Sequence, residues 1–278
     1  MVTKEQRRRQ LAREKFERQQ NRRVQLRQKS RVRNLVIVAV VAVIAATVAG
    51  TWVGGVFDSS DSKSSAAGTP SAATTSAAPD PCAKPAAGSP GTQQWSKEPA
   101  MTIDTKTTYT FTLQTTCGTI AMTLDAAKAP HTVNTFKFLA DQGYFDHTVC
   151  HRLVDTGIYV LQCGDPTGQG SGGPGFTIPD ENLSAFGKAA SDGSVTYPAG
   201  TIAMANTGTA NTGGSQFFLV YKDSPLAPSY TPFGTISSAG MTVLNKIAAA
   251  GAQPADPTTG NTPPNATVVI NKATVAKD

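Results

Sequence analysis

Histidine is scarce in this 278-residue chain, with only His131, His147 and His151, and the four cysteines, Cys82, Cys117, Cys150 and Cys163, include no CxxC pair. A zinc site therefore lacks its usual signature, which argues against a metal hydrolase. Aromatic residues make up 7% and charged residues 16% of the chain. There is no Gly-X-Y period or heptad and there are few cysteines for the length, which exclude collagen, coiled coil and a disulfide scaffold. No G-x-S-x-G occurs, the histidines are bunched, and no carboxylate pair suggests itself for acid–base work. What remains is 39% hydrophobic content, enough for one or two domains with real cores.

The net charge of +6 is unevenly spread, because residues 1–34 hold 13 Lys/Arg against three acids, leaving 12 basic and 16 acidic residues, or −4, for the rest. The basic pI thus belongs to a tail. Residues 35–53 are all apolar or small, and as one helix they cover about 28 Å, the thickness of a hydrocarbon core. A cleaved signal peptide is the rival reading, but the run is too long, the leader too extended, and no A-x-A site follows closely. Residues 35–57 are therefore expected to form a single transmembrane helix. With Arg7, Arg8, Arg9 and the later arginines ahead of it, residues 1–34 are a cytoplasmic tail and everything downstream faces outward at the cell membrane. A nucleic-acid arm is the other reading of the tail; it has only Phe16 to stack on bases and abuts the span, so contact with anionic lipid is preferred and no nucleic-acid partner is expected. Residues 58–100, rich in Ser, Ala, Thr, Pro and Gly without an apolar period, are expected to be a disordered linker with an end-to-end distance of about 36 Å.

Residues 101–278 form the globular head. In 108–115 Tyr109, Phe111 and Leu113 fall on one face, and in 118–125 Ile120, Met122 and Leu124 do the same, which predicts two strands joined by a hairpin turn. Pro130 opens an amphipathic helix carrying Val133, Phe136 and Leu139, with Gly143 past its end. Short β-like runs follow at 148–154, 158–163, 200–205, 216–221, 231–236 and 267–271, with a second helix at about 241–250. Many short strands with Gly-rich connections and only two helices suggest a mainly β fold, a closed barrel with helices over its ends. A parallel βαβ sheet lacks the helices it needs.

The glycine run at Gly168, Gly170 and Gly173 matches G-x-G-x-x-G superficially, but Pro174-Gly175 follows and no helix begins, so it reads as a tight loop rather than a dinucleotide site. Asp165, followed by Pro166, reads as a turn-capping aspartate. The informative residues are polar ones embedded in apolar strands: Arg152 in TVCHRLV, Gln162 in YVLQCGD, Asn206 in IAMANTG and Gln216 in GGSQFF. A strand arginine is costly to bury unpaired, so Arg152 faces a cleft or a partner. Singly each is an outward-facing strand residue. Together, with Tyr159, Phe218 and Leu226, they make a groove with an apolar pocket and amide recognition, suited to chemistry without bond cleavage.

The stretches APHTVNTFKFLADQGYFDHTVCHRL, YVLQCGD with its glycine loop, AMANTGTANTGGSQFFL and PFGTI resemble, in that order, the cyclophilin-type peptidyl-prolyl isomerases. The resemblance implies a closed eight-stranded antiparallel barrel capped by two helices, with the groove on its outer face. It implies catalytic roles for Arg152 and Gln162, and substrate binding by Tyr159, Val160, Ala205, Asn206, Gln216, Phe218, Leu226 and Tyr230. Proline-containing polypeptides are the implied substrates, and no cofactor or metal is implied. Two departures stand out: Pro225-Leu226 and Tyr230 replace a common Trp-Leu pair and histidine, so cyclosporin A binding is expected to weaken, and Thr156-Gly157 lengthens the turn after Arg152. The anchor and linker are similar to those of membrane-attached bacterial cyclophilins. The implied activity is X–Pro isomerisation in exported or cell-surface proteins, a folding-assistant role. A Pro-segment adaptor or holdase with incidental turnover is the alternative, and an inert surface domain a weaker one.

An outward-facing head permits disulfides. Four cysteines allow three complete pairings. Cys150 and Cys163 on neighbouring strands of one hairpin favour that pair, with Cys82–Cys117 as the other; buried free thiols are the alternative, because adjacent strands need not turn both side chains to one face.

Overall fold

The computed structural model describes residues 80–278. The basic tail, the apolar run and the first part of the linker lie outside the described residues. Among the described residues no helix is long and apolar enough to cross a membrane.

The fold is mainly β, with two helices. Its strands are β1 (Thr108–Thr115), β2 (Gly118–Asp125), β3 (Thr148–Val149), β4 (Arg152–Val154), β5 (Val160–Cys163), β6 (Val195–Tyr197), β7 (Thr201–Met204), β8 (Phe217–Val220), β9 (Ser224–Leu226), β10 (Pro232–Ile236) and β11 (Val269–Lys277). The helices are α1 (Pro130–Asp141) and α2 (Ser238–Ala249). Nine strands form one antiparallel sheet in the order β3-β11-β1-β2-β10-β7-β8-β5-β4, and β6 pairs with β9 as a separate ribbon. This corrects the expected closed eight-stranded barrel. The strand expected over 148–154 breaks at Cys150 and His151, where Cys150 N–H donates to Val268 O at 2.9 Å and Leu153 N–H to Thr262 O at 2.8 Å. Its first half pairs with β11 and its second with β5, so the two end strands of the sheet follow one another on the chain without pairing.

Period-two alternation decides what is buried. Tyr109, Phe111 and Leu113 of β1 and Ile120, Met122 and Leu124 of β2 enter the core, where β1 pairs with β2 through the tight turn at Thr116-Cys117. On α1, Val133, Phe136 and Leu139 are buried. The few aromatics gather around them: Phe136 lies 4.7 Å from Phe233 and 5.5 Å from Phe111 and Phe217, between ring centroids. No side chain of its own caps the start of α1. Instead Glu181, fifty residues on, accepts from the N–H groups of His131 (3.0 Å) and Thr132 (2.9 Å), meeting two of the donors that a helix start leaves unpaired. Helix α2 begins three residues earlier than its apolar period suggests, because Ser237 caps it by accepting from Gly240 N–H at 3.1 Å.

Both favoured disulfides are present, Cys82–Cys117 and Cys150–Cys163. The first fastens the segment upstream of the head. Residues 80–100 contain no strand or helix, in keeping with their composition, yet they are laid on the domain rather than free of it. Ala83 N–H donates to Thr116 O (2.9 Å), Ala86 N–H to Asn271 Oδ1 (2.9 Å), and Asn134 Nδ2 to Ala100 O (3.1 Å). The linker expectation fails over this part because local composition does not record a covalent tie or backbone bonds to distant strands.

Candidate active site

Four strands build the site by register. Arg152 of β4 lies opposite Gln162 of β5, Gln162 opposite Phe218 of β8, and Phe218 opposite Ala203 of β7, so these residues form one row across the sheet. The adjacent row, Leu153, Leu161, Leu219 and Ile202, is wholly buried in the main core. Since successive side chains alternate faces, the row that begins with Arg152 is turned to the other face of the sheet. There Val160, Ala203, Phe218 and Val220 form a second small apolar cluster with Val195 and Tyr197.

Polar groups on this face are joined in series. Arg152 Nη1 donates to Gln162 Oε1 at 3.2 Å, Gln162 Nε2 to Gln216 Oε1 at 2.9 Å, and Gln216 Nε2 to Gly172 O at 2.9 Å. Each amide accepts on one side and donates on the other, so both carboxamides are held in one orientation. Among the described residues Arg152 has no carboxylate within ion-pair distance, and its remaining N–H groups are available to a ligand.

Behind the series lies Asp165, fully buried. It accepts from Thr167 N–H (2.7 Å), Gly170 N–H (2.6 Å) and Gly172 N–H (3.1 Å), and from the Thr167 hydroxyl (2.8 Å). Burial alone pushes this carboxyl up, but the bonds from Gly172, Thr167 and Gly170 together outweigh it and hold Asp165 below the usual carboxylate range. Its turn-capping role thus extends to pinning the whole glycine loop. Next to Arg152, His151 is buried and neither ring nitrogen has a hydrogen-bond partner among the described residues. Burial lowers its pKa, against the attraction of Asp165 and with the repulsion of Arg152.

Arg152, Val160, Gln162, Ala205, Asn206, Phe218, Leu226 and Tyr230 surround one cavity of about 130 Å³, as the sequence suggests, together with Ile158. The Phe218 and Tyr230 rings meet edge to face at 5.4 Å. Tyr197 holds that wall in place: its hydroxyl donates to Tyr230 O at 2.7 Å, and burial pushes its pKa up to about 12, so it stays a donor. Asn206 commits its side chain inward, Nδ2 donating to Ser229 O at 2.7 Å and Oδ1 accepting from Gly208 N–H at 2.9 Å. Gln216 lines a neighbouring cavity of about 630 Å³, which shares Gln162, Ala205 and Asn206 with the first.

Tyr159 is a correction. It does not line the cavity but stacks edge-on with Tyr221 at 5.9 Å under the Lys222 ammonium. Counting back from Gln162 in steps of two reaches Val160 and then Ile158, so strand alternation puts Ile158 on the groove face and Tyr159 on the other. That alternation is present in the sequence, directly after the lengthened turn at Thr156-Gly157. Pro225 lies in the ribbon opposite Thr196, exposed and outside the cavity wall.

Residues 110–275 match the family described as cyclophilin type peptidyl-prolyl cis-trans isomerase/CLD. The chain belongs to that family. As a cyclophilin it presents a half-barrel with two helices, and all residues of the smaller cavity fall within the matched span. It is 50% identical over 139 residues to the "Probable peptidyl-prolyl cis-trans isomerase B" of Mycobacterium tuberculosis, covering 48% of this chain and 44% of that protein. The peptidyl-prolyl cis-trans isomerase of Helicobacter pylori is 40% identical over 144 residues, or 51% of this chain and 81% of that one. A solved cyclophilin-type isomerase of Cryptosporidium parvum overlaps 62% of this chain and 98% of its own, at 26% identity and a TM-score of 0.48. The chain spans about half the length of its mycobacterial relatives.

Proposed function

We propose that this cyclophilin is a peptidyl-prolyl cis-trans isomerase acting on X–Pro bonds of polypeptides. The observation that carries the reading is the Arg152 guanidinium, without a carboxylate partner among the described residues and held by Gln162 at 3.2 Å on the rim of an apolar cavity of about 130 Å³.

The barrier to rotation, roughly 18–20 kcal/mol, comes from delocalisation of the nitrogen lone pair into the carbonyl. A proline ring seated among Val160, Phe218, Leu226 and Tyr230 places its nitrogen near Arg152. As the bond twists, the nitrogen becomes pyramidal and its lone pair can accept a hydrogen bond from the guanidinium, an interaction that the planar ground state does not offer. Gln162 and the Asn206 backbone hold the carbonyls on either side so that one half of the bond rotates against the other. The groove thereby favours the twisted state over both planar ones without a nucleophile or a proton transfer.

The exported context belongs to the same proposal. It is supported by the apolar run at 35–53 behind an arginine-rich tail, and by two disulfides, which suit an oxidising compartment. Residues 35–57 would anchor the chain with the isomerase domain outside, serving refolding proteins whose uncatalysed prolyl isomerisation takes roughly 10–100 s. Protease treatment of intact cells should digest the domain and spare residues 1–34; protection of the domain would overturn this orientation. For the activity, a protease-coupled assay on the whole chain with Ala-Pro-containing peptides should show catalysed isomerisation. Tight peptide binding without acceleration would instead support the adaptor reading.

A further inference from the structure

The segment that precedes the family match reaches the site. Gln94 and Trp95 lie upstream of residue 110, where the match begins, yet they hold two consecutive carbonyls of the glycine loop: Gln94 Nε2 donates to Gly173 O at 2.7 Å and Trp95 N–H to Pro174 O at 2.8 Å. Trp95 is in turn wedged edge-on against Phe138 at 5.1 Å. Gly175 shows how close the approach is. With φ at +90°, a Cβ there would sit 2.7 Å from Trp95 O and 2.9 Å from Gln94 Oε1. Gln94 itself lines the 630 Å³ cavity, and among the described residues no Asp, Glu, Lys or Arg does.

We infer that Gln94 is a specificity-determining residue, supplying from outside the family-matched span a hydrogen-bond acceptor for an uncharged polar side chain that flanks the substrate proline. This rests on the isomerase reading above. The larger cavity shares Gln162, Ala205 and Asn206 with the smaller one, so a polypeptide with proline in the smaller continues into the larger. Its walls offer amides and hydroxyls, among them Gln94, Ser171, Thr212 and Gln216. One Nε2 hydrogen of Gln94 is committed to Gly173, which leaves Oε1 as acceptor and the second N–H as donor. A Gln or Asn side chain of the substrate finds partners there; a Lys or Glu gives up hydration without a counter-ion.

The test uses the whole chain and proline peptides carrying Gln, Ala, Lys or Glu at each of the three positions on either side of proline, with isomerisation followed by NMR exchange. At one flanking position the wild type should prefer Gln over Ala, Lys and Glu. Gln94→Ala should reduce the Gln-over-Ala ratio of kcat/KM about threefold to tenfold, chiefly through KM, with the thermal midpoint unchanged. Gln94→Lys keeps a donor for Gly173 O and brings a cation into the wall, so the preference should move toward Glu. A wild type that turns over all peptides equally, or a Gln preference that survives both substitutions, overturns the role of Gln94 while leaving the isomerase reading intact. Failure to accelerate any peptide overturns both.

Discussion

Arg152 and Gln162 face each other across the β4–β5 ladder, and the disulfide Cys150–Cys163 ties the break just ahead of β4, two residues before Arg152, to the last residue of β5. The pair is therefore clamped twice, once by a side-chain hydrogen bond and once covalently. The clamp closes a loop of 13-residue separation, for which chain-entropy arguments give about 3 kcal/mol. The double variant Cys150→Ser/Cys163→Ser should lose about 2–3 kcal/mol in denaturant unfolding and should also lose kcat, because strand β4, only three residues long, then fixes Arg152 less firmly. Cys82–Cys117 closes a longer loop, of 35 residues' separation, but lies away from the groove. Cys82→Ser/Cys117→Ser should therefore lower stability with less effect on the kcat of a short substrate. Equal effects on kcat would show that the clamp has no positional role.

Stability should fall on mild acidification. His151 is held below its ordinary 6.5 by burial first and by Arg152. Above that value both folded and unfolded chains carry it neutral, so it makes no difference. As pH drops below 6.5 the unfolded chain takes up the proton while the folded one does not, and stability declines until the lower folded pKa is reached. Asp165, held below 3.8, works further down: its contribution is complete above 3.8 and is lost as pH falls through its folded value. Thermal midpoints measured from pH 7.5 to 4.5 should show the first decline, and His151→Gln should flatten it. An unaltered profile in that variant would assign the decline elsewhere.

Much of this architecture was legible in the sequence, and the exceptions share a cause. Strands β1 and β2 announce themselves because Tyr109, Phe111 and Leu113, then Ile120, Met122 and Leu124, alternate over eight residues each. The ribbon β6–β9 does not: each strand has three residues, Pro225 sits in the middle of one, and only pairing across the fold makes them strands. Strand β11 runs on to Lys277 through Ala273 and Val275, past the Asn271-Lys272 step that looks like an end. At the site, Arg152, Gln162, Asn206 and Gln216 stand out as polar residues embedded in apolar runs. Glu181 on the α1 terminus and Gln94 on the glycine loop act across about 50 and 79 residues, and nothing in their neighbourhood marks them.

Cyclosporin A should bind more weakly than to a cyclophilin with the usual tryptophan at the position of Pro225. Proline has no N–H to offer the drug, and Pro225 projects outside the cavity wall. One hydrogen bond of about 0.5–1.5 kcal/mol plus some apolar area corresponds to roughly 10- to 100-fold in affinity. Calorimetric titration of this chain beside a cyclophilin that carries the tryptophan should show the difference; equal affinity would mean that this loop is wrongly matched to the family.

Glu181→Ala should cost about 1–2 kcal/mol in unfolding free energy, since it strips the N–H groups of His131 and Thr132 of their shared acceptor at the start of α1. Activity per folded molecule should hold, because Glu181 lines neither cavity of the groove. Retention of full stability would mean that water replaces the carboxylate without loss.

The central claim is that Arg152 stabilises the twisted X–Pro bond, and the most direct measurement is kcat/KM of Arg152→Ala, with Arg152→Lys beside it, on one proline peptide. The expected result is a fall of at least about tenfold, some 1.4 kcal/mol of lost transition-state stabilisation, in a chain with unaltered circular dichroism. Lysine should recover only part of it, for want of the planar fork that Gln162 orients. A folded Arg152→Ala chain with near wild-type kcat/KM would contradict the account.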